Sequence, residues 1–139
     1  MTIPTVPSHV MVVEDDKDTR EVVKLILELE GMGVTEASDG FEALERLHRL
    51  READPHRPCA VVLDIMMPRC SGAEFRKRQL NDPLIADVPI IVLSAIADQL
   101  RLDEFHAFAK VAKPFDPEQL VSVVRRACSL VPGILSDGR

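Results

Sequence analysis

The sequence predicts an α/β domain, a doubly wound five-stranded parallel sheet with helices on both faces. Short apolar runs rich in β-branched residues alternate from end to end with amphipathic segments of helical period. Gly, Pro or Asp punctuates nearly every junction between them. The 139 residues suffice for one domain with a sizeable core and are too few for two. Right-handed crossovers between parallel strands then lay the helices over both faces of the sheet.

Each element has its own signal. His9 to Val13 is a short apolar run, as a strand buried on both faces requires. From Lys17 to Glu30, Val22, Val23, Ile26, Leu27 and Leu29 interleave with charged residues at helical spacing, and Gly31 and Gly33 supply the stop. A strand is expected over Val34–Ala37. Ser38-Asp39-Gly40 then turns into a helix with Phe41, Ala43, Leu44, Leu47 and Leu50 inward. Arg51 to Pro58, polar and carrying two prolines, reads as a surface loop, and Cys59–Leu63 as the third strand. Ser71-Gly72-Ala73-Glu74 has capping-box spacing and opens a helix to about Leu80. After a loop over Asn81–Pro89, the fourth strand is Pro89–Leu93, followed by a shorter helix within Ala95–Phe108. Lys110–Ala112 is the fifth strand. Asp116-Pro117-Glu118 combines a cap, a first-turn proline and early acidic charge, opening a helix that carries Leu120, Val121, Val123, Val124, Ala127 and Cys128 inward. Residues 1–8 form an N-terminal extension, 9–131 the domain, and 132–139 a loose tail.

Composition narrows the class. Hydrophobic residues at 46% against 29% charged give a globular balance, and a net charge of −6 argues against general affinity for nucleic acid or anionic membranes. No apolar stretch is long enough to span a membrane, and the N-terminus lacks the pattern of a signal peptide. Cys59, Cys70 and Cys128 are odd in number and lack metal-ligand spacing, so they read as reduced thiols in a cytoplasmic protein.

The strand ends carry the chemistry. Strand one runs into Glu14-Asp15-Asp16, strand three into Asp64, strand four into Ser94 and strand five into Lys113. In an open parallel sheet these all fall at the carboxyl edge, where such sheets bind ligands. Solvation of the sheet edge is the plain alternative, but one lone charge would serve it better than a convergent set. Glu14, Asp15 and Asp64 would repel each other unless a divalent cation joined them. An all-oxygen site suits Mg²⁺, with Mn²⁺ as an alternative ion. Lys113 has the wrong sign for a metal ligand and the right one for a phosphate, to which Ser94 can donate a hydrogen bond. A carboxylate so placed is suited to form an aspartyl-phosphate.

The chain resembles the response-regulator receiver domain of two-component signalling. The resemblance rests on Glu14-Asp15 in VVEDD, Arg20, SDG and EAL between Ser38 and Leu44, LDIMMP at Leu63–Pro68, Ser71-Gly72, LSA at Leu93–Ala95 and KPF at Lys113–Phe115. It covers about residues 9–131. It implies a flavodoxin-like sheet of order 2-1-3-4-5 and phosphorylation of Asp64 by a histidine kinase or a histidine phosphotransfer protein. It further implies Mg²⁺ ligation by Asp15, Asp64 and the Met66 backbone carbonyl, with Glu14 acting through water, and phosphoryl contacts from Ser94 and Lys113. The Lys113–Pro114 bond is expected to be cis. The reading is a single-domain regulator, a monomer or a phosphorylation-dependent dimer, that signals to an unknown downstream protein without a DNA-binding output domain.

The sequence departs from the family at Lys110, where an aromatic residue usually couples to the serine; Phe108 lies nearby but is not placed to replace it. Ser94 and Lys113 are also closer in sequence than usual. Met66 and Ile96, both apolar, stand where polar side chains can orient attacking water, which predicts slow self-dephosphorylation. Other functions fit less well. A Mg²⁺-dependent phosphatase using an aspartyl-phosphate needs an acid two residues after Asp64, where Met66 stands. A flavin carrier needs a Ser/Thr/Gly-rich loop after strand one, where three acids stand. A degenerate receiver would lack part of the acidic set, Ser94 or Lys113. His9, His48, His56 and His106 share no face and read as surface residues, and Arg69, Arg76, Lys77 and Arg78 as a solvated helix face.

Overall fold

The computed structural model describes residues 8–65, 71–95 and 106–130. Five parallel strands, β1 (His9–Val13), β2 (Gly33–Ala37), β3 (Ala60–Asp64), β4 (Ile90–Ser94) and β5 (Ala109–Ala112), form one sheet of order β2-β1-β3-β4-β5. Four helices are described: α1 (Lys17–Leu29), α2 (Gly40–Ala53), α3 (Gly72–Leu80) and α4 (Pro117–Cys128). Period-two alternation along the strands divides the core between the two faces. Val10, Val12, Val62, Leu93 and Val111 pack with Val23 and Leu27 of α1 and with Leu120, Val124 and Ala127 of α4. Met11, Val13, Val61, Leu63 and Val92 face Ala43 and Leu47 of α2 and Phe75 of α3. The register sets Val13 beside Leu63, Asp64 beside Leu93 and Ser94 beside Ala112, so the carboxyl ends of four strands lie at one edge.

Each helix starts on a capping side chain, as its sequence signals. Asp16, Asp39, Ser71 and Asp116 accept from the backbone N–H of Thr19, Glu42, Glu74 and Glu118 respectively. Glu42 reaches back to the Ser38 N–H at 2.7 Å, closing a reciprocal cap.

Several expectations are corrected. Cys59 and Cys128 are not free thiols: they are joined by a disulfide. They stand 69 residues apart in sequence, but the crossovers bring the start of β3 beside the C-terminal end of α4. Arg51 is not in a loop. It lies in α2, buried, with its guanidinium donating to the Asp87 carboxylate at 3.0 Å and to the carbonyls of Leu84 and Pro58. Phe41 points outward under the Arg78 guanidinium rather than into the core. Val22 and Leu29 are likewise exposed, because α1 buries only the narrow stripe through Val23 and Leu27. Arg76 leaves the solvated face of α3. It is buried and donates to Gln79 Oε1 and to the His106 carbonyl, both at 2.6 Å, while the Gln79 amide caps the carbonyls of Ile85 and Val88. His9 is half-buried, with a ring nitrogen 2.6 Å from Thr35 Oγ1. Phe108 is not helical; it leads into β5, donates its N–H to the Ile90 carbonyl and packs against the core on the sheet face that α1 and α4 cover. Most of the expected Ala95–Phe108 helix, together with Met66, Pro68, Arg69, Cys70 and Ile96, lies outside the described residues.

Candidate functional site

The site is built where three buried strands end. Glu14 follows β1 directly, Asp64 closes β3 and Ser94 closes β4; they are 2%, 5% and 1% exposed. Asp15, one residue beyond Glu14, is exposed. A carboxylate oxygen from each of Glu14, Asp15 and Asp64 lies within 4.8 Å of the others. Lys113 enters from the loop after β5, whose first N–H bonds the Ser94 carbonyl at 3.1 Å. Its Nζ lies 3.1 Å from Glu14 Oε1 and 3.6 Å from Asp64 Oδ1. The Lys113–Pro114 peptide is cis, as is Arg57–Pro58.

The electrostatics follow from that geometry. Burial, then the neighbouring Asp64, push the Glu14 carboxyl above its usual range, against the opposing pull of the Asp16 N–H and Lys113. Burial disfavours the Lys113 ammonium, but the hydrogen bond it donates to Glu14 and the charges of Asp64 and Glu14 outweigh it and raise its pKa. Two buried carboxylates therefore share one ammonium, with a third carboxylate close by at the surface, an excess of negative charge that a divalent cation would balance. The donor set, all carboxylate oxygen, fits Mg²⁺.

Supporting residues fix this edge. Arg20 donates to the Glu14 carbonyl at 2.8 Å and pairs with Glu36 at 3.2 Å, tying α1 to β1 and β2. Gly72 at the start of α3 lies against Ile65, the neighbour of Asp64; its N–H bonds the Ile65 carbonyl at 3.2 Å, and an added Cβ would come within 2.8 Å of Ile65 Cα. Asp16 does not join the acidic cluster. It caps α1, and its N–H donates to Glu14 Oε2 at 3.2 Å. The Asp-x-x-Thr spacing of Asp16 and Thr19 is the sequence signal for that role. Lys110 is half-buried on β5, beside Val92 of β4. Met66 lies outside the described residues.

The family model for the response regulator receiver domain matches residues 10–125. The chain belongs to that family. Receiver-bearing relatives include the transcriptional regulatory protein CseB of Streptomyces coelicolor, 38% identical over 121 residues, and the phosphate regulon transcriptional regulatory protein PhoB of Escherichia coli, 33% identical over 120. The matches cover 85% and 84% of this chain but 48% and 50% of those proteins, so the chain spans about half the length of the curated relatives it matches. Among solved structures, the Vibrio cholerae chemotaxis response regulator CheY4 superposes with a TM-score of 0.74 at 28% identity, covering 88% of this receiver and 99% of that chain. The receiver domain of the sensor histidine kinase PA1611 from Pseudomonas aeruginosa shares the fold with a TM-score of 0.79 at 24% identity, covering 89% and 99% of the two chains. That structure holds a magnesium ion in its active-site cleft. The sheet order 2-1-3-4-5 is the one the resemblance implied. Among the described residues no helix is long and apolar enough to cross a membrane.

Proposed function

We propose that this receiver, residues 9–131, is the phosphoacceptor of a two-component phosphorelay, and that Asp64 takes the phosphoryl group from a phosphohistidine. The observation that carries this reading is the convergence of Glu14, Asp15 and Asp64 within 4.8 Å, with Lys113 Nζ 3.1 and 3.6 Å from two of them.

An Asp64 oxygen would attack phosphorus in line with the departing imidazole; the new O–P bond forms as the N–P bond breaks, and the released imidazole takes up a proton. Lys113, held charged by its two carboxylate neighbours, is poised to turn toward the phosphoryl oxygens. The Ser94 hydroxyl, at the end of the neighbouring strand, would donate to the same oxygens. Asp15, Asp64 and the Met66 carbonyl would hold Mg²⁺ or Mn²⁺, with Glu14 one water away. When bound, the ion supplies the positive charge that offsets carboxylate repulsion and the charge of the phosphoryl group. No acid stands two residues beyond Asp64, so the protein would turn over only its own phosphoryl group, and slowly. Output is through contact with a downstream protein in the cytoplasm, with Lys110 replacing the usual aromatic in passing on the state of Ser94.

Intact-mass measurement after incubation with Mg²⁺ and acetyl phosphate tests the chemistry. One phosphate adduct is expected on the wild type and none on Asp64→Asn or Lys113→Ala. An adduct that survives Asp64→Asn, or none from either this donor or the histidine kinases of the same cell, refutes it. The adduct should decay over minutes or longer rather than seconds.

A further inference from the structure

At the end of the sheet opposite the carboxylate cluster, the Cys59–Cys128 disulfide ties the residue that precedes β3 to the last residue of α4. The same two elements carry facing charges at their other ends. Asp64 closes β3, and Lys113 stands in the short loop that leads into α4, its Nζ 3.6 Å from Asp64 Oδ1. Between these ties, Ala60 and Val62 of β3 share one core with Leu120, Val124 and Ala127 of α4. The helix is thus fastened to β3 at both ends, by an ion pair at the carboxyl edge and by a covalent bond at the other. The Arg125–Glu30 pair near the covalent end is exposed and holds only weakly.

The two sulfurs are not equally placed. Cys59 is 3% exposed and locked to the sheet, its N–H donating to the His9 carbonyl at 2.8 Å. Cys128 is 6% exposed, lies in the last turn of α4 and is followed by exposed Ser129 and Leu130. Helix ends fray, so opening of that turn uncovers Cys128 Sγ while Cys59 stays covered. A thiolate of a dithiol then attacks Cys128 Sγ; the S–S bond breaks, and Cys59 leaves as a thiolate that takes up a proton. The second sulfur of the dithiol displaces Cys128 from the mixed disulfide, so the dithiol loses the two electrons that the protein disulfide gains. A small-molecule disulfide reverses both steps. Proteins kept in reducing compartments use such bonds chiefly as redox responders rather than as permanent staples.

We propose that Cys59 and Cys128 form a reversible redox-modification site, attacked at Cys128, whose disulfide latches α4, and with it Lys113, to β3. The inference does not depend on the phosphoacceptor reading. Native-state hydrogen exchange of the full chain at low urea concentrations, after incubation with oxidised glutathione or with dithiothreitol, tests it. In the oxidised protein, α4, α2 and the Lys113 N–H, which bonds the Ser94 carbonyl, should open together. After reduction, α4 and the Lys113 N–H should exchange about tenfold or more faster than α2, by an opening that low urea hardly accelerates. Brief exposure of the native protein to reduced glutathione, followed by acid quenching and peptide mapping, should place the mixed disulfide on Cys128. Cys128→Ala should match the reduced wild type with or without oxidant, and Cys70→Ser should respond as the wild type does; circular dichroism checks that each is folded. The oxidised and reduced wild type carry the comparison without any substitution. An α4 that still opens only together with α2 after reduction overturns the proposal, as does a loosened α4 that leaves the Lys113 N–H unchanged. So does a mixed disulfide found on Cys59, a bond that dithiothreitol reduces only in denaturant, or a redox response lost in Cys70→Ser.

Discussion

Replacing Lys113 with Met removes the ammonium that faces two buried carboxylates and keeps most of the side chain's apolar bulk. At an effective dielectric of about 20, a charge pair at the observed 3.1 Å from Glu14 or 3.6 Å from Asp64 is worth about 5 kcal/mol before desolvation. Breaking a fully buried pair costs about 3–5 kcal/mol net. Here the lysine is partly exposed, and Glu14, its carboxyl already raised, can take up a proton to relieve the strain. The expected loss is therefore smaller, about 2 kcal/mol near neutral pH in EDTA. Removing the ammonium also removes repulsion against an incoming Mg²⁺. Were the variant to bind the ion about tenfold more tightly than the wild type, saturating Mg²⁺ would close the gap by about 1.4 kcal/mol. Urea unfolding followed by circular dichroism, with EDTA and then with saturating Mg²⁺, measures both numbers. A gap below about 0.5 kcal/mol in EDTA, or one that Mg²⁺ leaves unchanged, would show that Lys113 is not the counter-ion of this cluster.

Three further outcomes follow from the geometry. The hydrogen bond to Asp82, with Glu52 beside it, raises the His48 pKa above its ordinary 6.5. Its contribution is thus present in full below about pH 6.5 and lost as pH rises through the raised value, so the stability difference between wild type and His48→Gln should shrink from mildly acidic to mildly alkaline solution. A Gly72→Ala methyl would come within 2.8 Å of Ile65 Cα, displacing α3 from the loop after Asp64; we expect a loss of about 1–3 kcal/mol in urea unfolding and slower adduct formation, and an unchanged variant would contradict the close packing. Labelling of denatured, unreduced protein should find one thiol, Cys70, and three after reduction. Closure across 69 residues implies that reduction lowers stability by about 4 kcal/mol, and three thiols before reduction would show the Cys59–Cys128 bond to be missing in solution.

The alternation of apolar runs with amphipathic segments was enough to determine the α/β class, the order of the elements and the four strand ends, because strand burial and helical amphipathicity leave periodic marks in local sequence. Asp64 and Ser94 could be read as strand ends for the same reason: each follows an uninterrupted apolar run. Local caps were equally legible, since Asp39, Ser71 and Asp116 bond backbone within three residues of themselves. What sequence could not supply was any pairing between distant segments. Lys113 looked like a group awaiting phosphate, and only the assembled sheet shows it balancing Glu14 and Asp64. Arg51 and Arg76 resembled solvent-facing charges until carbonyls and side chains from remote segments enclosed their guanidinium groups. Cys59 and Cys128 meet because β3 begins where α4 ends. The exposure of Val22 and Leu29 is likewise tertiary: helical period marks an apolar stripe, but the width of what packs on it decides how much is covered.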